Sequence, residues 1–272
     1  QRQMCIRDSL CLLWVSTNVI FGQVDTLEVY SEVMDQTIPN LVITPKNYTE
    51  QNENLPVIYL LHGAGGYFSN WFFRVPEIEQ YATDYNIIIV CPDGNKTSWY
   101  IDSPIDSTSQ YESYITRELV PAIDQKYRTI KQKRGRAITG LSMGGHGAFY
   151  LAFRNQDIWG AAGSMSGGVN IIPFAEEWNI DDILGPYDQN KKNWEDNTVI
   201  NLTHLLKGDL KIIFDCGKDD FFAEVNKELH KKLAIEGVPH EYTVRPGKHN
   251  WDYWRNSIKY HLLYFDDFFS RK

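Results

Sequence analysis

The stretch TGLSMGGHGAFYLAFRN, residues 139–155, constrains this chain more than any other. It sets Ser142 between Gly140 and Gly144, adds Gly145 and Gly147, and then continues as a helical pattern. A glycine inside a helix costs about 1 kcal/mol relative to alanine, because its backbone loses more freedom on folding. Accepting that cost repeatedly within a few residues implies a geometry with no room for side chains. The apolar run RAITG leads directly into the stretch. Strand, tight turn and helix around G-x-S-x-G make the context of a nucleophile elbow, where the serine is strained and its neighbours two places away must be small. The turn lifts the hydroxyl above the strand ends, over a helix N-terminus whose positive potential suits a developing oxyanion.

The remaining sequence supplies the sheet that such a turn requires. Residues 54–63 (NLPVIYLLHG), 86–94 (NIIIVCPDG), 161–168 (AAGSMSGG) and 210–217 (LKIIFDCG) read as buried strands, each a short apolar run closed by glycine. Helical patterns lie between them, in YESYITRELVPAIDQKY and in FFAEVNKELHKKLAIEG, where Gly237 is placed as a C-cap. The early segments DTLEVYSEVM and NLVITP predict a pair of edge strands. Strands alternating with helices predict an α/β fold, a mostly parallel central sheet with helices on both faces. Residues 169–206 lack clean periodicity and predict a lid-like insert after the sixth strand. We expect one domain over residues 23–272.

A serine hydroxyl needs a neighbouring base to become a nucleophile, and in this fold class the partners follow in the order serine, acid, histidine. Four histidines come after the DCGKDD segment. His230 falls in a helical pattern, His240 opens a strand and His261 lies in an aromatic C-terminal helix. His249 alone occupies a loop at a strand's C-terminal end, where active-site groups collect, and is the expected base. Asp215 sits inside a strand and reads as structural, whereas Asp219 and Asp220 are adjacent at its end. Either of these two can orient the imidazole while its neighbour caps the next helix. The oxyanion donors are expected to be the amides of Met143, next to the serine, and Ala64, in the loop LLHGAGGYFSNW. His62 is an alternative base by residue type, although its position beside Gly63 suits loop packing better.

With these pieces in place the chain resembles the putative esterase family of α/β-hydrolases, which includes feruloyl and acetylxylan esterases of carbohydrate esterase family one, S-formylglutathione hydrolases and mycolyltransferases. The segments that carry the resemblance are LLHGAGG (60–66), GNKTSWYIDSP (94–104), YESYITRELVPAID (111–124), GLSMGGHGA (140–148), FDCGKDDFF (214–222) and RPGKHNWDYW (245–254). The resemblance implies an α/β-hydrolase fold. It places the acid on Asp220, three residues after the glycine of DCG, the base on His249, and the second oxyanion donor on Ala64.

These readings lead to an exported serine carboxylic-ester hydrolase with Ser142, His249 and Asp220 as its triad, requiring neither metal nor organic cofactor. Its expected substrate is a small-molecule or polysaccharide-linked ester, with removal of feruloyl or acetyl groups foremost. Trp71, Trp99, Tyr100, Trp178 and Trp251 fall near predicted strand ends and offer flat surfaces for an aromatic ring or a sugar face, core packing being the competing reading for each. A thioesterase of the S-formylglutathione hydrolase kind and an acyltransferase use the same triad and stand as alternatives. The formal net charge of −8 argues against nucleic-acid partners, and the one basic cluster, Lys131 to Arg136, reads as a solvated loop before a strand. The apolar run LCLLWVSTNVIFG (10–22) is too short for a membrane span and matches a signal-peptide core, so residues 1–22 are expected to be a leader. Cys5 and Cys11 lie in that leader, and Cys91 and Cys216 read as small hydrophobes, forming no disulfide framework or metal motif.

Overall fold

The apolar runs pair side by side in the computed structural model, which describes residues 24–271. The proposed leader therefore lies outside the described residues. Eight strands form one sheet: β1 (Val24–Ser31), β2 (Gln36–Ile43), β3 (Val57–Leu61), β4 (Ile88–Pro92), β5 (Arg136–Gly140), β6 (Ala161–Met165), β7 (Lys211–Gly217) and β8 (Glu241–Arg245). Their order is β1-β2-β4-β3-β5-β6-β7-β8, with β1–β2 and β2–β4 antiparallel. All other pairings are parallel. The helices are α1 (Asn70–Arg74), α2 (Ile78–Asp84), α3 (Tyr111–Ser113), α4 (Val120–Lys126), α5 (Met143–Arg154), α6 (Asp181–Leu184), α7 (Lys191–Asp196), α8 (Ala223–Ile235) and α9 (Trp251–Ser270). A π-helical stretch, Tyr114–Leu119, joins α3 to α4. This is the mostly parallel, doubly covered sheet that the alternation of elements predicts.

Side chains of a strand point to opposite faces in turn, and both faces are buried here. Val57, Tyr59 and Leu61 of β3 enter one core with Phe149 of α5 and Leu229 of α8. Ile58 and Leu60 enter the other with Trp71 of α1, Ile78 of α2, and Leu262 and Phe265 of α9. Double burial is why the strand reads as an unbroken apolar run. Among the described residues no helix is long and apolar enough to cross a membrane.

The structure differs from the sequence-based expectations in three places. β2 is not an edge strand: residues 40–43 pair with β4 on the side away from β1, which buries them and leaves β1 alone at that edge. The basic cluster is only partly a solvated loop. Lys131, Lys133 and Arg134 are exposed, but Arg136 opens β5, is buried, and pairs with Asp124. The segment 169–206 is built from short helices, and Ile171, Ile180, Leu184, Trp194 and Val199 belong to the same core as α5. Its apolar side chains are committed to the body of the fold, so it forms a wall and not a separate layer.

The C-terminal helix is fastened to the sheet by one buried carboxylate. Asp215 of β7 accepts from the Tyr253 hydroxyl (2.7 Å), the Ser257 hydroxyl (2.5 Å) and His261 Nε2 (3.0 Å), all on α9. Arg245 of β8 lies 3.3 Å away, and His261 Nδ1 meets Thr139 Oγ1 of β5 at 2.9 Å. Burial alone pushes this carboxyl up, but the hydrogen bonds and charge of His261, with Ser257 and Tyr253, hold it below the ordinary aspartate value. A lowered folded-state value means stability that is present above the ordinary range and is withdrawn as acid protonates the group. Asp215→Asn should therefore cost about 2–4 kcal/mol at neutral pH in denaturant unfolding. The gap to the unmodified chain should narrow as the pH falls below the ordinary aspartate range.

Candidate active site

The turn after β5 holds Ser142 at φ 55° and ψ −118°, a left-handed conformation that a non-glycine residue rarely adopts. No Cβ fits two residues either side. One on Gly140 would lie 2.5 Å from the Gly144 carbonyl oxygen, and one on Gly144 would lie 2.5 Å from that of His62. Both obstacles are backbone, which cannot move aside. Ser142 N–H donates to the Met165 carbonyl of β6 at 3.0 Å, and α5 starts at the next residue. The hydroxyl therefore stands at the C-terminal rim of the sheet, over a helix N-terminus.

Two further loops converge on it. His249 lies between β8 and α9, and its Nε2 is 2.9 Å from Ser142 Oγ. On the other side of the ring, Nδ1 lies 2.8 and 3.0 Å from the two carboxylate oxygens of Asp220. The loops after β7 and β8 are stitched together by Lys218 N–H to the Arg245 carbonyl (2.8 Å) and Asp219 N–H to the Gly247 carbonyl (2.9 Å). This stitching turns Asp220 inward, where it is buried, and leaves Asp219 exposed. Asp220 Oδ1 also accepts from Phe222 N–H at 2.8 Å, closing the turn that leads into α8; neither Asp219 nor Asp220 caps that helix, whose N-cap position is Phe222.

The amides of Met143 and Ala64 donate to no group among the described residues, which leaves both N–H bonds available beside the serine. Ala64 is brought there by Gly63, where a Cβ would lie 2.6 Å from Leu141 Cδ1 and 3.2 Å from Ser142 Cβ. His62 is buried, its Nδ1 facing the Gly63 carbonyl and its Nε2 accepting from Gly94 N–H. Burial pushes its basicity down, and both ring nitrogens are occupied in holding the loop, so it is not placed as a base.

An open cleft of about 490 Å³ surrounds the serine, lined by the 63–67 loop, Asn70, Arg74, Trp178, Phe221, His249, Trp251 and Trp254. Of the five aromatic residues expected to meet substrate, Trp178 and Trp251 line it. Trp71, Trp99 and Tyr100 do not: all three are fully buried. Trp71 donates its indole N–H to the Leu61 carbonyl (3.0 Å) and packs edge-on against Trp251. Trp99 and Tyr100 both have positive φ, as Trp178 does, but their rings are packed in the core. The Tyr100 ring occupies the space that a side chain at Gly147 would need, and its hydroxyl bridges the backbone of His62. The Trp99 carbonyl meets His146 Nδ1 at 3.1 Å, and burial pushes the His146 imidazole down to about 4. These residues prop the oxyanion loop and the elbow helix from behind. Phe221, which the sequence reading did not single out, lies 4.1 Å from the His249 ring and stacks on Trp178. Its place directly after Asp220 was the available signal. Among the described residues no cluster of three or more His, Cys, Asp or Glu is poised to hold a metal.

A family model described as "Putative esterase" matches residues 31–265. The chain belongs to this family. An acetyl esterase of Caldicellulosiruptor saccharolyticus is 26% identical over 252 residues, covering 84% of this chain and 92% of the relative. A solved ferulic acid esterase is 28% identical with a TM-score of 0.79, covering 91% of this chain and 98% of that one. The S-formylglutathione hydrolase of Staphylococcus aureus shares the fold at 21% identity and a TM-score of 0.78, covering 89% and 98% of the two chains. The chain is a serine carboxylic-ester hydrolase on the α/β-hydrolase fold.

The difference between the adjacent acids is directly measurable. Asp220→Asn should lower the esterase's kcat by about three to four orders of magnitude, by leaving the imidazole in the wrong tautomer. Asp219→Asn, at an exposed side chain, should leave kcat within about twofold.

Proposed function

We propose that this esterase is exported and removes feruloyl or acetyl groups from polysaccharide, with Ser142 as nucleophile, His249 as base and Asp220 as its orienting acid. The observation that carries the chemistry is the 2.9 Å contact between Ser142 Oγ and His249 Nε2, with Asp220 behind the ring. In this mechanism Ser142 Oγ attacks the ester carbonyl as its proton passes to His249 Nε2. The amide N–H groups of Met143 and Ala64 hold the resulting oxyanion. Collapse of the tetrahedral intermediate expels the alcohol, which takes the proton from His249, and an acyl-serine remains. Water, activated by the same imidazole, then releases the acid and restores Ser142. Asp220 accepts from Nδ1–H throughout and stabilises the transient imidazolium.

The flat wall formed by Trp178 and Phe221, rings 5.5 Å apart and 26° from parallel, supports a planar acyl group such as feruloyl. The ferulic acid esterase and acetyl esterase among the relatives support the same substrate classes. The apolar run at residues 10–22 supports export. Ser142→Ala should reduce kcat by about four orders of magnitude or more and abolish labelling by a fluorophosphonate, while thermal unfolding shows a folded protein. Methyl ferulate, acetylated xylan and S-formylglutathione, compared side by side, test the substrate: preference for the thioester would overturn the polysaccharide reading and leave the triad standing.

A further inference from the structure

The α1 wall of the cleft carries two side chains that the hydrolytic mechanism does not use. Asn70 and Arg74 both line the space around Ser142 and His249. They stand four residues apart on α1, a spacing that puts side chains on one helix face. Asn70 Oδ1 accepts from Tyr67 N–H at 3.0 Å, which fixes the amide with its Nδ2 donor unpartnered among the described residues. Arg74 is exposed and forms no ion pair among the described residues. The acid that follows it, Glu77, is bound to Arg255 instead. The Arg74 guanidinium lies over Trp251, 5.9 Å from the ring centroid. Trp178 and Phe221, which also line the cleft, present stacked rings. The cleft thus combines flat apolar rings with an unpaired cationic side chain, in a chain whose net charge is −8.

We infer that Asn70 and Arg74 form a subsite for a carboxylate carried by the substrate, so that the esterase selects esters whose non-aromatic part is anionic. The inference rests on the reading of Ser142 as nucleophile and names a substrate class for that same site. A guanidinium binds a carboxylate through two parallel hydrogen bonds, and the Asn70 amide adds a third donor. The Trp251 ring limits the positions open to Arg74, which reduces the ordering cost of binding. Two sources supply this chemistry: a uronic acid in an acylated saccharide, and the carboxylates of a peptide thioester such as S-formylglutathione.

Matched substrates separate the two, with 4-nitrophenyl acetate as a reference for turnover itself. One pair is an O-acetylated methyl glucuronoside against the corresponding glucoside. The other is S-formylglutathione against its diethyl ester. The ratio of kcat/KM for the charged over the neutral member should reach about tenfold in one pair, expressed mainly in KM and falling as salt is added. Arg74→Gln should bring that ratio towards one, and Arg74→Glu should push it below one. The pair that responds identifies the source. Ratios at or below one in both pairs, or a ratio that neither substitution moves, would overturn the subsite while turnover of 4-nitrophenyl acetate keeps the esterase reading intact. No turnover of that reference would instead remove the nucleophile reading and the subsite with it. Circular dichroism checks that each variant folds; if neither does, the salt dependence of the unmodified chain's ratio decides.

Discussion

The crowding around Ser142 is the constraint on which the other parts depend. A residue at φ 55° stays there only if its surroundings fix it, and they do so with backbone: Gly140 against Gly144, and Gly144 against the carbonyls of Leu61 and His62. These contacts involve β3, β5 and α5 together, so the position of the hydroxyl is set by the centre of the sheet. The same contacts set the oxyanion loop, because the His62 carbonyl that abuts Gly144 lies two residues before Ala64. The proposed nucleophile and oxyanion donor are therefore held in one rigid body, and their spacing does not rely on any flexible side chain.

His249, the proposed base, belongs to a second body, and Asp215 joins it to the first. His249 precedes α9 by two residues, and α9 is held by three hydrogen bonds to a carboxylate on β7. β7 also ends in the loop that delivers Asp220. One buried charge thus sets the relation between Asp220, His249 and the strand beside them, and through His261 and Thr139 it reaches β5, which leads into the turn that carries Ser142. Burying a carboxylate is expensive unless its partners are complete, and the set of hydroxyl, imidazole and guanidinium around Asp215 meets that requirement. A residue that looks like a third acidic candidate from the sequence is, by position, the tie between those that carry the chemistry.

What could be read without coordinates follows a physical division. Features fixed by local sterics were legible: the elbow from its glycines, the strands from their unbroken apolar runs, and His249 from its place after a strand end. Features fixed by pairing across the sheet were not. NLVITP reads as an edge strand because nothing local says that β4 will pair on its second side. Asp219 and Asp220 are equivalent in sequence, and only the Lys218 and Asp219 amide contacts with the next loop decide which one turns inward. The aromatic residues divided on the same basis. Trp99 and Tyr100 stand beside a predicted strand end as Trp178 does and share its positive φ, yet packing against the sheet and α5 buries both rings while Trp178 lines the cleft.

That division explains the character of the cleft. Buried aromatics on the protein side, Trp71, Trp99 and Tyr100, supply shape by holding backbone in place. Those lining the cleft, from exposed Phe221 through half-buried Trp178 and Trp251 to buried Trp254, supply surface. Trp71 and Trp251 meet edge to face at 5.2 Å, so a ring that touches solvent is positioned by one that does not. Phe221 and Trp254 both contact the His249 ring, at 4.1 and 4.9 Å, so the surfaces offered to a substrate also fix the base. Widening the cleft for a bulkier ester by trimming either residue would loosen the imidazole as well. Binding breadth and catalytic positioning are coupled in this fold through shared side chains, and Asn70 and Arg74, which make no hydrogen bond to Ser142 or His249 among the described residues, are where specificity can vary at least cost to the chemistry.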